Sequence, residues 1–450
     1  MSDRIRSRIV AGYLLLCIML GGSAQGTWTN LALQVGGIAL LALAALAGKD
    51  GEEGTRTSWL NYILIAAMIL VLLQLVPLPP SAWTRLPGRE VIAAGMRSLG
   101  YSLPWEPISV APYSTVMTLF AFIPALAAFV ATRVFRPSLR IVFIGVIAGT
   151  MLGIVVGALQ VAGGPKSSAY FYPITSDGAV GFFANGNHMG TLLLVAIPFI
   201  AAVVASSKTE RKASRMARNG VGIAVLVLVL FGIALNGSFA AFGLAIPVVV
   251  ATAAVIPAGL RWRRFAVPIA AVLLLAGVGL LASKPIGSDL LQRQSSTSLS
   301  SRQQIWATTT NAIRENMPVG SGLGTFTQVY HLQERPDSVG PDYVNHAHND
   351  YLELALELGL AGVFLLVAFL AWWAITAVRI WSSQLSTPFA RAASVATAAV
   401  LAHSVVDFPL RTAAISAIFA VAVAVMAEQF DAPVATKRGE KRATRHVQLG

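Results

Sequence analysis

Charged side chains are scarce in this sequence. Asp, Glu, Lys and Arg make up 12% of its 450 residues, about half the share that a soluble domain usually carries. That shortage excludes an ordinary water-soluble globule. There is one cysteine, Cys17, so neither a disulfide framework nor a thiolate metal cluster can be built. Tandem repeats are missing, which removes solenoids and propellers. Low-complexity sequence is confined to the basic tail. A phosphate loop is missing too. The run Gly320-Ser-Gly-Leu-Gly324 has no strand pattern before it and no Lys-Ser/Thr after it, so it offers no nucleotide cradle.

Apolar sequence is what the chain has in quantity: 56% of residues are hydrophobic and the mean hydropathy is +0.69. A membrane helix needs about 17–25 apolar residues. Candidate spans lie near 9–22, 30–47, 59–77, 113–132, 141–162, 188–206, 220–235, 239–257, 265–283, 351–378, 392–406 and 412–427. The expected fold is therefore an all-α polytopic membrane protein with about 12 transmembrane helices. The first span has the basic start and small-residue end of a signal peptide, and we read it as a retained helix. With the N-terminus in the cytoplasm, the inside segments hold 23 of the 33 lysines and arginines. This satisfies the positive-inside rule with both termini cytoplasmic. The net charge of +13 is then a topology signal and a rim facing anionic lipid, not a nucleic-acid surface.

This topology divides the chain into residues 1–283, with spans 1–9 and an outside loop at 78–112; an outside loop at 284–350 between spans 9 and 10; residues 351–430, with spans 10–12; and a basic cytoplasmic tail at 431–450. The loop 78–112 is rich in proline, carries two tryptophans suited to the interface, and predicts a short helix around 88–99. In the larger loop, Ser301 and Gln304 form a capping-box pattern at a helix start. Ile305, Trp306, Thr309, Ala312 and Ile313 continue as a helical apolar face, which Pro318 and glycines 320, 322 and 324 end.

Polar residues gather on the outside face: His188, Arg302, His346, His348, Asp350, Glu353, His403, Asp407 and Arg411. Ionisable groups at membrane depth are costly and mark function. Asp350, Glu353 and Glu357, spaced by three and four, share one helix face. The first two fit the positive end of a helix dipole. Gly359 and Gly362 beside the deeper Glu357 mark close helix packing. His346 and His348 precede that helix. Each could be a hydrogen-bonded loop residue or a general base, since imidazole titrates near neutral pH. His-x-His with scattered carboxylates lacks sharp metal-ligand spacing, and no metal is expected. Arg302 and Arg411 have the planar fork that suits a diphosphate. Their plainer readings are a solvated helix-start residue and an ion pair with Asp407.

Four stretches resemble a known family: "FFANGNHMGTLLL" (182–194), "SRQQIWATTTNAIRENMPVGSGLGTF" (301–326), "HAHNDYLELALELGLAG" (346–362) and "HSVVDFPLR" (403–411). The pattern is similar to the O-antigen ligase and polysaccharide polymerase-like membrane proteins. The resemblance implies a twelve-span, metal-independent glycosyltransferase of the C type in a bacterial inner membrane. Its active site would face the periplasm, and it would need no cofactor. Its donor would be an undecaprenyl-diphosphate-linked oligosaccharide and its acceptor a glycan or lipid A-core. Carried over by motif, His348 is the catalytic histidine, Arg302 the large-loop arginine and Arg411 a diphosphate ligand. His346, Asn349, Tyr351, Asn187, His188 and Asp407 are substrate-binding candidates. One departure stands out: the family's Ser-Arg after the seventh span is Ser238-Phe239 here, so one phosphate contact is either missing or supplied elsewhere. Polymerisation of repeats is the leading expectation and ligation of finished glycan the alternative. A transporter, the third possibility, would carry charge at mid-bilayer in broken helices.

Overall fold

The structure is a computed structural model, which describes residues 1–24, 26–47, 59–172, 178–206, 212–256, 285–336, 339 and 343–431. The expected span at 265–283 and the tail lie outside the described residues. The helices are α1 (Asp3–Leu20), α2 (Trp28–Ala47), α3 (Trp59–Leu73), α4 (Pro80–Trp83), α5 (Glu90–Ser98), α6 (Pro112–Ala121), α7 (Ile123–Phe135) and α8 (Leu139–Gly163). They continue as α9 (Gly186–Ala205), α10 (Lys212–Asn236), α11 (Phe239–Val255), α12 (Pro285–Asn316), α13 (Phe326–Gln333), α14 (Asp350–Ser382), α15 (Pro388–His403) and α16 (Ala413–Asp431). The chain is a helical, polytopic membrane protein. Among the described residues, six spans are long and apolar enough to cross a bilayer: α2, α6 with α7, α8, α9, most of α10, and α14.

The bundle is organised around α9. From His188 onward nearly every side chain of α9 is buried, as an all-round apolar helix requires. It packs against α8, α10, α11 and α15. Helix α1 sits inside the bundle, against α8, α7 and α16, with Val10, Leu14, Cys17 and Ile18 buried. The span expected at 113–132 is two helices, with Phe122 as the joint. Pro124, within the first turn of α7, accounts for the break, because proline is tolerated there and not in a helix interior.

The loop 78–112 is pinned rather than loose. A two-residue antiparallel ladder pairs Pro77 with Pro107 and Leu78 with Glu106, and the helix expected around 88–99 is α5. Arg89 is buried, and its guanidinium donates to the carbonyls of Pro87, Ile108 and Gly320 and to Asn316 Oδ1. Burial without a carboxylate partner lowers its pKa to about 10, against a small opposing pull from Glu90. The sequence offered no sign of this staple between the two outer loops.

Two expectations are corrected here. Helix α12 runs back to Pro285, so Ser301 and Gln304 lie inside it, exposed, and form no capping box. Helix α14 is not continuous. Gly359 has φ +60° and ψ −154° and breaks it. In an apolar setting the carbonyls freed by a break must find donors, and the glycine-rich turn after α12 supplies them. The N–H groups of Ser321 and Gly322 donate to Leu356 O and Glu357 O at 2.9 Å each, and Leu360 N donates to Pro318 O at 2.8 Å. Gln74 Nε2 also donates to Glu357 O, at 2.9 Å. A Cβ on Gly359 would lie 2.3 Å from Pro318 O, and one on Gly320 would lie 2.5 Å from Gly359 N. The glycines read as close helix packing and as a helix stop thus fit into one another.

Candidate active site

The start of α9, the start of α14, the end of α15 and the turn before α16 converge at one end of the bundle. Asparagine builds two of these entrances. Asn185 caps α9, its side chain accepting from Asn187 N, and Asn349 caps α14, accepting from the N–H groups of Tyr351 and Leu352 at 3.0 Å. Such caps satisfy donors that a helix start leaves free. Asn349 Nδ2 also reaches Val405 O at 2.8 Å, and Tyr351 Oη donates to Leu401 O at 2.7 Å. Both residues, expected to bind substrate, tie α14 to the end of α15.

Asp407 is the centre of the arrangement and is 0% exposed. One carboxylate oxygen accepts from Asn187 Nδ2, the other from Phe408 N at 2.8 Å. His348 Nδ1 lies 3.5 Å and His188 Nε2 3.7 Å from that second oxygen. Burial would raise the Asp407 carboxyl, but the nearby His188 and His348 imidazoles outweigh it and hold it well below the usual carboxylate range. Asn187 carries the network onward, its Oδ1 accepting from Ser238 Oγ at 2.7 Å. Ser238 caps α11, while Phe239, in the position of the family's arginine, is exposed.

Phe408 holds three imidazoles. His346 stacks on its ring at 4.1 Å, and His188 and His348 meet it edge-on at 4.8 and 5.0 Å. His188 and His403 are buried, while the His348 side chain is 28% exposed. His403 shares a hydrogen bond with Thr191 Oγ1 at 2.8 Å. Arg302 is half-buried on α12, the helix whose Trp306 Nε1 donates to Ala347 O at 3.0 Å, which brings α12 to the same cluster. His348 also has φ +48°, a left-handed backbone that costs a non-glycine residue about 1–2 kcal/mol.

Beneath this layer lies a second one. Arg411 does not pair with Asp407. Its guanidinium faces Glu357 Oε2 at 3.0 Å, Glu353 Oε1 at 3.4 Å and Asp350 Oδ1 at 3.7 Å. Burial would depress the guanidinium pKa, but the carboxylates of Glu353, Glu357 and Asp350 outweigh it and raise it. Glu353 also accepts from Ala347 N at 3.0 Å and lies 2.9 Å from His346 Nδ1. Asp350 accepts from Ser404 Oγ at 2.7 Å. The helix-face spacing of the three carboxylates was readable in sequence. Their common partner was not; Asp350 and Glu353 sit in the first turn of α14, as read, and join this ion cluster as well.

The expected residues His188, Asn187, Arg302, His346, His348, Asn349, Tyr351, Asp407 and Arg411 are thus brought to one end of the bundle. Those passed over are Asn185, Thr191, Phe408 and Trp306's polar role. Phe408 lay within a quoted stretch, but nothing marks a phenylalanine as the common wall of three histidines until the chain is folded.

A multi-pass helical membrane protein with an acid, base and guanidinium cluster at one end of its bundle belongs to the class built for polar chemistry at a membrane surface. Residues 224–367 match the family model O-Antigen ligase. That stretch, about a third of the chain, is similar to the O-antigen ligase family. The matched stretch contains Arg302, the glycine-rich turn, His346, His348 and the carboxylates of α14. Asn187, His188, Asp407 and Arg411 lie outside it. No curated protein matches the chain.

Proposed function

We propose that the chain transfers a glycan from a polyprenyl-diphosphate-linked donor, undecaprenyl diphosphate by family analogy, to a sugar hydroxyl on the periplasmic side of a bacterial inner membrane. Polymerisation of repeats is the leading reading. Ligation of finished glycan to lipid A-core or protein is the alternative. The observation that carries the reading is His348. It is the most exposed imidazole of the cluster, at 28% against 16% for His346, its Nδ1 faces the buried Asp407 carboxylate, and it stands where an aqueous loop enters a membrane helix. With Nδ1 carrying the proton toward Asp407, Nε2 is free to take the acceptor's hydroxyl proton. Asp407 stays ionised at neutral pH and stabilises the imidazolium that forms. The acceptor oxygen bonds to the anomeric carbon, and the bond from that carbon to the diphosphate breaks, its electron pair leaving with the phosphate. Arg302 supplies positive charge to that leaving group, so no metal ion is needed. Arg411 is committed to three carboxylates. In this reading it holds the floor of the site, and the diphosphate role expected of it passes to Arg302.

The break at Gly359, with Glu357 beside it, is the feature that a transporter would share. Here the break is filled by the turn 318–322 of the same chain, and its freed carbonyls are satisfied, which favours a rigid site over a moving gate. Deleting the gene and analysing the glycans tests the proposal. Loss of long chains with accumulation of single repeats means polymerase, and long chains left on the lipid carrier mean ligase. Unchanged glycans on both carrier and surface would refute the reading.

A further inference from the structure

His348 sits in a left-handed backbone conformation in a segment without regular structure, so something must hold it there. Its own ring does not: Nδ1 finds no hydrogen bond within normal geometry. The restraint falls on the residues either side. Ala347 is 0% exposed, and its backbone is gripped from two directions. Its N–H donates to Glu353 Oε2 at 3.0 Å, and its carbonyl accepts from Trp306 Nε1 at 3.0 Å. On the other side, Asn349 is fixed by its cap and by Val405. Of these ties, the one from Trp306 comes from a different body of the fold. Trp306 is on α12, four residues after Arg302, so the two share a helix face. Its indole packs in the small outer core with Ile305, Phe326, Tyr330, Ala347 and Leu356.

We infer that Trp306 is a positioning residue: its indole N–H, with Glu353 on the opposite side, clamps the Ala347 peptide and thereby sets both the orientation of His348 and its spacing from Arg302. This inference rests on the proposed role of His348. The hydrogen bond is a strong candidate for such a duty because its acceptor belongs to the fully buried Ala347, and a buried carbonyl that loses its donor must move or stay unsatisfied. A small shift of a reacting group is expensive in rate even where it costs the fold little.

The test is a double-mutant cycle with lipid-linked repeats as donor, using the purified full chain. Trp306→Phe keeps an aromatic ring at this position and removes the N–H together with the pyrrole part of the indole. It is expected to lower kcat about 10–100-fold, with KM for the donor within about twofold of wild type and an unchanged melting temperature. In a His348→Ala background it is expected to cause no further loss, because a residue acting through His348 has nothing left to position. Trp306→His, which retains a ring N–H donor, is expected to recover part of the rate. A fully active Trp306→Phe overturns the inference. So does an equal loss in both backgrounds, or failure of Trp306→Phe to accumulate, since the clamp would then serve the fold. If His348→Ala itself transfers normally, the proposed function fails instead.

Discussion

Replacing Arg411 by methionine is the sharpest perturbation of the lower layer. The change keeps length and apolar bulk and removes the one cation among three buried carboxylates. At the distances observed, 3.0, 3.4 and 3.7 Å, each pair is worth about 5 kcal/mol of Coulomb attraction at the effective dielectric of a protein. Desolvation and repulsion among the carboxylates offset much of this. Measured losses from breaking a buried pair are about 3–5 kcal/mol. A whole domain is stable by only about 5–15 kcal/mol. Arg411→Met is therefore expected to reduce accumulation in the membrane severely and to lower the melting temperature of whatever is extracted. Replacing Glu353, Glu357 and Asp350 by their amides in the same chain should restore much of that accumulation, because the uncompensated charge is gone. Arg411→Lys should fall between, keeping charge without the fork. The measurements are membrane abundance by immunoblot and thermal unfolding in detergent. If Arg411→Met accumulates and melts like wild type yet transfers no glycan, the ion cluster is not what Arg411 is for, and the diphosphate contact expected from sequence is restored.

Other outcomes follow from the upper layer and the frame around it. His348→Ala should slow transfer by about 10²–10⁴ and Arg302→Ala by about 10²–10³, with normal membrane levels; Arg302→Lys should also be poor, and near wild-type rates in purified protein would sink these roles. Asp407→Asn should cut kcat by a roughly constant factor from pH 6 to pH 9, because a carboxyl held well below its usual range stays ionised throughout. The same depressed pKa means that its stabilising contribution is present above the unfolded value near 3.9 and is lost as pH falls through the folded one, so an unfolding series taken into acid should show wild type converging on the variant. Gly359→Ala should destabilise by more than about 2 kcal/mol, since a side chain there meets both a left-handed backbone and Pro318 O; thermal unfolding at the wild-type midpoint would contradict the interlock. Arg335→Cys should be labelled from the periplasm in a chain whose native Cys17 is buried, and labelling only from the cytoplasm would invert the topology and the chemistry with it.

The sequence by itself determined those features that depend on local order along the chain. Apolar runs set where the helices lie, because a bilayer demands an unbroken stretch of matching length. That is why eleven of the expected spans fall on described helices, one of them (113–132) on a pair, although six among the described residues are long and apolar enough to cross a bilayer. Helix periodicity put Asp350, Glu353 and Glu357 on one face, and motif spacing drew attention to His348, Arg302 and Asp407. Tertiary structure decided whom these groups meet. Arg411 is four residues from Asp407 and more than fifty from Glu353 and Glu357, yet it pairs with the distant carboxylates, because the turn before α16 carries it onto the flank of α14. Gly359 looked like a packing glycine, since nothing in its neighbours' polarity announces a break. Only the arrival of the turn after α12, with donors for the stranded carbonyls, makes that break affordable in an apolar setting. The left-handed backbone of His348 is of the same kind: its neighbours Ala347 and Asn349 are held by Trp306, Glu353 and Val405, which the fold brings together from separate elements.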